Sequence, residues 1–339
     1  MTHPFASHPP LARTKDTMFV LSKNRPQTLL MTLASLKHID AQRVIVDDSP
    51  SLKVQSNVKK ITVENGGDYH GQSEQLRLMD KLGFPLSSEF FRPLGNSQWD
   101  TGYVRNYVLL LAASLRCDKA MFVDDDIIMR EPGLYSRLNR SLSKYDFVGS
   151  RATGLIDDSV LGHLQRAMGD TVGEYVSAGF LAFKPPSVRY PFLNSYNEDW
   201  IWLYLHSRAS KIARLGVVYH VPTRPPKGFL QEATFQEMGE LIVTGVEVAV
   251  RDDVYESTLG DVRFWERISK VRIHEIEEML AQSRDGHFAP AVKAAKAALQ
   301  TETSLKPKVI ASTFRRFFEG IGRWQETLNR ARNSSFAMI

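Results

Sequence analysis

Short apolar runs alternate with stretches of helical periodicity along most of the chain. Thr17 to Leu21 (TMFVL) reads as a buried strand, followed by a Ser-Lys-Asn-Arg-Pro loop. Pro26 suits the first turn of a helix, and Leu29, Leu30, Leu33, Leu36 and Ile39 then recur at helical spacing. Arg43 to Pro50 is a second apolar run that ends in carboxylates, and Val58 to Val63 reads as a third strand. Strand, helix, strand in this order predicts parallel pairing, with both sheet faces covered.

The polar stretch from Asn65 to Asp100 reads as irregular, with one short helix near Gln72 to Leu82. Tyr103 to Leu115 predicts a helix that is apolar on most sides. Lys119 to Ile128 is again a strand running into carboxylates, and Tyr145 to Ser150 is another short strand. Tyr175 to Lys184 has small residues at its centre, where a ligand or a backbone can approach closely. Asn197 to Ser207 predicts a helix opened by acidic residues, and Leu215 to Val221 a strand ending at His220. From about Asp261 the pattern turns helical, over Val262 to Gln282, Ala289 to Gln300 and Val309 to Asn329. These patterns divide the chain into a tail (1–16), a main domain (17–260) and a helical C-terminal extension (261–339). Pro222 to Pro226, Gly286 and Pro307 mark the joints.

Composition narrows the class. The chain has 339 residues, 43% hydrophobic and 24% charged, which describes a globular protein with room for a large core. Cys117 is the single cysteine, so an internal disulfide is impossible and a reducing, cytoplasmic setting is expected. The longest apolar run, around Tyr107 to Leu115, falls far short of the roughly 20 residues of a membrane span. Met1 to Pro10 do not read as a signal peptide. The net charge is +5, and Lys306 to Arg332, with seven basic and two acidic residues, carries all of it. Ile310, Phe314, Phe317, Ile321, Trp324 and Leu328 form an apolar stripe along that segment. The stripe packs on the main domain or a partner subunit, or it serves a peripheral membrane or polyanion contact through residues 306–332.

The chemistry lies where two strands end in carboxylates, Asp47-Asp48 and Asp124-Asp125-Asp126. In open α/β sheets ligands bind beyond the carboxyl ends of the strands. Carboxylates crowded there repel unless a cation neutralises them, and Mg2+ or Mn2+ would do so while leaving positions for phosphate oxygens. The plainer alternative is that the aspartates cap a strand. His220 is either a satisfied structural histidine or a metal ligand. Glu198 and Asp199 either stabilise a helix N-terminus or face a reacting hydroxyl. His70, in Asp68-Tyr-His, is a weak candidate substrate contact.

The order of these features resembles the GT-A glycosyltransferases, a nucleotide-sugar-dependent group with a DXD motif. Phe19-Val-Leu-Ser-Lys-Asn-Arg-Pro26 with Leu29, Leu33 and Leu36 resembles the family's first strand and helix. Val44-Ile-Val-Asp-Asp-Ser49 resembles its second strand, Tyr103-Val-Arg-Asn106 its ARN element, and Phe122-Val-Asp-Asp-Asp-Ile127 its DXD strand. Ser177-Ala-Gly-Phe-Leu-Ala-Phe183 is similar to the strand lining the donor sugar, and Asn197-Glu-Asp-Trp200 to the acidic motif facing the acceptor. The resemblance covers roughly Thr17 to Pro226.

It implies an α/β fold with a Rossmann-like, mostly parallel central sheet flanked by helices. It implies transfer of a sugar, a hexose for preference, from a nucleoside diphosphate donor (UDP ahead of GDP) to an acceptor hydroxyl, with Mn2+ or Mg2+. Asp124, Asp126 and His220 would hold the metal. Arg25, Asp47, Asp48, Arg105, Asp125, Ala178 and Gly179 would bind the nucleotide sugar. Asp199 or Glu198 would be catalytic, in an inverting or a retaining reaction. The segment from Thr223 to Glu256 would fold over the donor as a loop. A lipid-linked or surface glycan ranks first as acceptor, ahead of a hydroxylated DNA base and then a small polar metabolite. A haloacid dehalogenase-type phosphohydrolase, with Asp252-Asp253 as its later acidic pair, and a non-catalytic sugar-nucleotide binder are the rivals.

Overall fold

The computed structural model describes residues 16–84, 101–154, 176–221, 229–252, 255–282 and 289–334. The tail through residue 15, the 85–100 part of the polar stretch, Tyr175, the 222–228 proline loop, Asp253 and Gly286 lie outside the described residues. In chain order the elements are β1 (Asp16–Ser22), α1 (Pro26–Leu36), β2 (Gln42–Asp47), α2 (Leu52–Glu64), β3 (Asp68–His70) and α3 (Gln72–Lys81). Then come α4 (Thr101–Ser114), β4 (Lys119–Asp124), β5 (Ile127–Ile128), α5 (Leu134–Ser141), β6 (Phe147–Thr153) and β7 (Phe180–Phe183). The chain continues with α6 (Glu198–Ser207), β8 (Ile212–His220), α7 (Phe229–Arg251), α8 (Tyr255–Leu259), α9 (Val262–Gln282), α10 (Ala289–Ser304) and α11 (Pro307–Asn333).

The sheet runs β3-β2-β1-β4-β7-β6-β8-β5. Four of its seven pairings are parallel: β1 with β2 and β4, β2 with β3, and β6 with β8. The expected α/β architecture with a helical C-terminal part is therefore what the chain adopts. Alternation along the strands shows why both faces are covered. Phe19 and Leu21 of β1, Val44 and Val46 of β2, and Ala120 and Phe122 of β4 point into one core. Met18, Val20, Ile45, Met121 and Val123 point into the other, closed by Leu29, Leu33 and Leu36 of α1, Val58 and Ile61 of α2, and Leu134 and Leu138 of α5.

Two expectations are corrected. Val58 to Val63 is not a strand but part of α2, with Val58, Ile61 and Thr62 buried at helical spacing and Val63 exposed. The third strand is Asp68–His70, inside the stretch read as irregular. The loop expected over the donor at Thr223 to Glu256 is mostly helix: residues 229–251 form α7, which packs on α6 and α10.

Helix α4 is buried on nearly every side because it lies between the sheet and α11. The stripe on α11 faces this core, with Ile310, Phe314, Phe317, Trp324 and Leu328 all buried. Phe84 meets Trp324 edge-on at 5.7 Å, and Trp265 stacks on Phe314 at 5.5 Å. The apolar face of α11 is thus taken by the molecule itself and is not left for a bilayer, whereas Lys306, Lys308, Arg316 and Arg323 remain exposed. Among the described residues no helix is long and apolar enough to cross a membrane.

Candidate active site

Three parallel strands bring their carboxyl ends to one edge of the sheet. β1 lies between β2 and β4, with Ser22 opposite Asp47 and Leu21 opposite Asp124. The chain leaves β1 through α1 toward β2, while β4 flanks the other side, which makes this a topological switch point. Backbone bonds fix the acidic residues there. Asp48 N donates to Ser22 O at 2.9 Å, and Asp125 N donates to Leu21 O at 3.1 Å.

The three consecutive aspartates go to different partners. Asp124 meets Arg105, whose Nη2 lies 3.2 Å from Oδ1, and its side chain keeps 29% exposure. Asp125 is fully buried, with Oδ1 2.8 Å from Arg25 Nη2. Burial pushes its pKa up to about 7 against the pull of Arg25. Asp126 Oδ2 is shared by Arg25 Nη1 and by His220 Nε2 at 3.3 Å. Burial opposes ionisation of Asp126, but His220 and Arg25 outweigh it and hold the carboxyl below the usual range.

Arg105 ties this strand end to α6. Its Nε donates to Glu198 Oε1 at 2.9 Å and its Nη1 to Ala178 O at 3.1 Å. Burial alone would lower its pKa, but Asp124, Glu198 and Asp199 together push it up. All three nitrogens of the fork are used inside the protein, so Arg105 braces the site and is not presented to a diphosphate. Asp199 Oδ2 accepts from Ala178 N at 2.9 Å, and Oδ1 from Trp200 N at 2.8 Å. Burial raises the Asp199 pKa against the attraction of Arg105. Ala178 and Gly179 approach this cluster through their backbone. A Cβ on Gly179 would lie 3.0 Å from Asp124 Oδ2, so a side chain there would push that carboxylate aside by a few tenths of an ångström.

The second acidic cluster splits. Asp47 is buried, and its carboxylate accepts from Ser49 N at 3.0 Å and from Tyr69 OH at 3.0 Å. It holds the β2 turn together. Asp48 lies nearer the surface, paired with Lys23 Nζ at 3.0 Å and with Gln72 Nε2 at 3.3 Å. His70 faces inward, its Nδ1 2.6 Å from Tyr107 OH, and burial lowers its pKa.

Asp126 and His220 offer a carboxylate and an imidazole at hydrogen-bond distance. An ion that completes its shell with phosphate oxygens needs only such a partial set. The pair fits a divalent metal of this kind. Asp124 points to Arg105, and among the described residues no three His, Cys, Asp or Glu side chains converge into a closed metal cage.

The sequence reading overlooked two supports. Asn197, in the left-handed region at φ 57°, starts α6, and its Nδ2 donates to Glu240 Oε1 of α7 at 3.1 Å. Thr32 Oγ1 of α1 donates to Asp125 O at 2.8 Å. Asn197 was visible beside the acidic pair, but Glu240 stands 43 positions away in sequence with no local signal. Asp252, half of the rival phosphohydrolase pair, closes α7 with its N–H on Val248 O, in the helical part.

No family model matches the chain, and no curated protein matches it in sequence. Solved structures are similar to it. Glucosyl-3-phosphoglycerate synthase from Mycobacterium tuberculosis, in complex with Mn2+, UDP and phosphoglyceric acid, is 18% identical, with a TM-score of 0.45 over 71% of this chain and 78% of that one. Another structure of that synthase is 14% identical, with a TM-score of 0.46 over 69% of this chain and 80% of that one. A mycobacterial protein is 16% identical, with a TM-score of 0.47 over 69% of this chain and 74% of that one.

Proposed function

We propose that this chain is a glycosyltransferase that moves a sugar from a nucleoside diphosphate donor, UDP ahead of GDP, to an acceptor hydroxyl with Mn2+ or Mg2+. One observation carries the reading. At a switch point of the sheet, Asp48, Asp124, Asp125 and Asp126 stand with Arg25, His220, the Arg105-held Glu198 and its neighbour Asp199. Asp48 would bind the nucleoside. Asp126 and His220 would hold the metal, which neutralises charge on the departing diphosphate. Arg25, 40% exposed, has the guanidinium fork that suits phosphate oxygens.

Two carboxylates then divide the remaining work. Glu198 is engaged by Arg105 and serves to orient. Asp199 has the raised pKa that favours accepting a proton from the acceptor hydroxyl. For the acceptor we rank a lipid-linked or surface glycan first. The exposed basic side of α11 suits its anionic carrier, without insertion of the buried stripe.

The test is turnover. UDP- and GDP-sugars, with Mn2+ and a panel of glycan and lipid-linked acceptors, should release nucleoside diphosphate and yield a glycosylated product. Asp199→Asn should abolish transfer while retaining donor binding. Absence of transfer, with donor binding also absent, sinks the proposal.

A further inference from the structure

Arg25 sits where its backbone cannot drift far. It is the N-cap residue of α1, directly before Pro26, and its carbonyl accepts from Leu29 N at 3.1 Å and Thr28 Oγ1 at 3.0 Å. From there one guanidinium bridges two carboxylates, with Nη2 on Asp125 Oδ1 and Nη1 on Asp126 Oδ2. The same Asp126 oxygen lies 3.3 Å from His220 Nε2. The carboxylates are fixed and buried, at 0% and 5% exposure, whereas the arginine side chain is 40% exposed. The mobile partner in this contact is therefore the cation.

We propose that Arg25 is the resident counter-cation of the acidic strand end, and that a divalent metal reaches Asp126 and His220 only when this guanidinium leaves. The inference rests on the nucleotide-sugar reading for the arginine's destination. A guanidinium and a divalent ion on one carboxylate oxygen repel each other, so each lowers the affinity of the site for the other. A diphosphate removes the conflict, because its oxygens receive the planar fork that leaves Asp125 and Asp126. Metal and nucleoside diphosphate then strengthen each other's binding by the same factor. Arg105 takes no part in this exchange, since it is buried and held by Asp124, Glu198 and Ala178 O. The consequence is a site that binds free metal weakly and metal with nucleotide well.

Mn2+ binding, followed by electron paramagnetic resonance of the free ion, tests this in the wild type, Arg25→Gln and Arg25→Lys. Without nucleotide, Arg25→Gln should bind Mn2+ at least about tenfold more tightly than the wild type, within the usual span of coupling between sites. Arg25→Lys, which keeps a charge but not the fork, should fall between them and guards against a folding defect in Arg25→Gln. Adding Asp126→Asn to Arg25→Gln should erase the gain. UDP or GDP should then strengthen Mn2+ binding in the wild type and do so far less in Arg25→Gln. Equal or weaker Mn2+ binding by both folded Arg25 variants overturns the inference, whatever the nucleotide does. A gain in Mn2+ affinity, with no nucleotide bound by any variant, would uphold the competition at Asp126 and overturn the nucleotide-sugar reading instead.

Discussion

Arg105 Nε lies 2.9 Å from Glu198 Oε1, and both side chains are about 4% exposed. This ion pair joins α4 to α6 across the end of β4, where Arg105 also reaches Asp124 and Ala178 O. A buried pair with every fork nitrogen engaged is costly to break from one side, because Glu198 stays buried without its cation. Arg105→Ala should lose about 3–5 kcal/mol of stability. Arg105→Lys should recover part of that loss. Urea unfolding monitored by tryptophan fluorescence gives the answer, and a loss below about 1 kcal/mol, the value of an exposed pair, would contradict the bracing role.

Gly179 lies close beside Asp124, and a Cβ there would stand 3.0 Å from Oδ2 and 3.2 Å from Ser177 Oγ, close enough to displace them slightly. Gly179→Ala should leave the fold intact, because the carboxylate is partly exposed and able to shift. Displacement of Asp124 should weaken binding of nucleoside diphosphate with Mn2+ by about tenfold, the equivalent of 1.4 kcal/mol. Unchanged affinity would show that Asp124 does not face the ligand.

Glu237, Glu302 and Arg272 are buried together between α7, α9 and α10, with the half-buried Glu240 beside them. Arg272 Nη2 lies 3.2 Å from Glu237 Oε2 and 3.7 Å from Glu240 Oε2, while among the described residues neither carboxyl oxygen of Glu302 has a hydrogen-bond partner. Burial, with repulsion from Glu237, pushes the Glu302 pKa up to about 8 from 4.5, against the attraction of Arg272. The folded state therefore holds a proton that the unfolded chain releases. Its contribution to stability is complete below about pH 4.5 and is lost as the pH rises through about 8. Glu302→Gln should make the fall in stability between about pH 5 and pH 9 shallower, and should be more stable than the wild type at the alkaline end. Parallel pH profiles for the two proteins would contradict this.

Trp324 ties α11 to Phe84 of the main domain, while Phe314 stacks on Trp265 of α9 within the helical C-terminal part. Trp324→Ala should cost about 3–5 kcal/mol. Truncation before Lys306 should leave α4 uncovered and the remainder insoluble or unfolded. A truncated chain with unchanged thermal stability would show that the C-terminal helices are an independent appendage.

Much of this arrangement was legible in the sequence where the signal is local. The runs at Thr17, Arg43 and Lys119 are buried on both faces, the last two end in carboxylates, and they became the three neighbouring strands of the site. Val58 to Val63 misled because its β-branched residues suit a strand as well as a helix over so short a run. The partners were not legible. That Arg25 would bridge Asp125 and Asp126, or Arg105 reach Glu198, depends on contacts separated by 101 and 93 positions for the Arg25–Asp126 and Arg105–Glu198 pairs. The apolar stripe of α11 was plain, but whether a core, a partner or a bilayer covers it is decided by the packing of α4.

The most direct test of the nucleotide-sugar reading is calorimetric titration of UDP and GDP into the protein, with and without Mn2+, beside Asp126→Ala. The reading predicts binding of one of these nucleotides that depends on Mn2+ and disappears in the variant. Failure of both nucleotides to bind the wild type under every metal condition would contradict it.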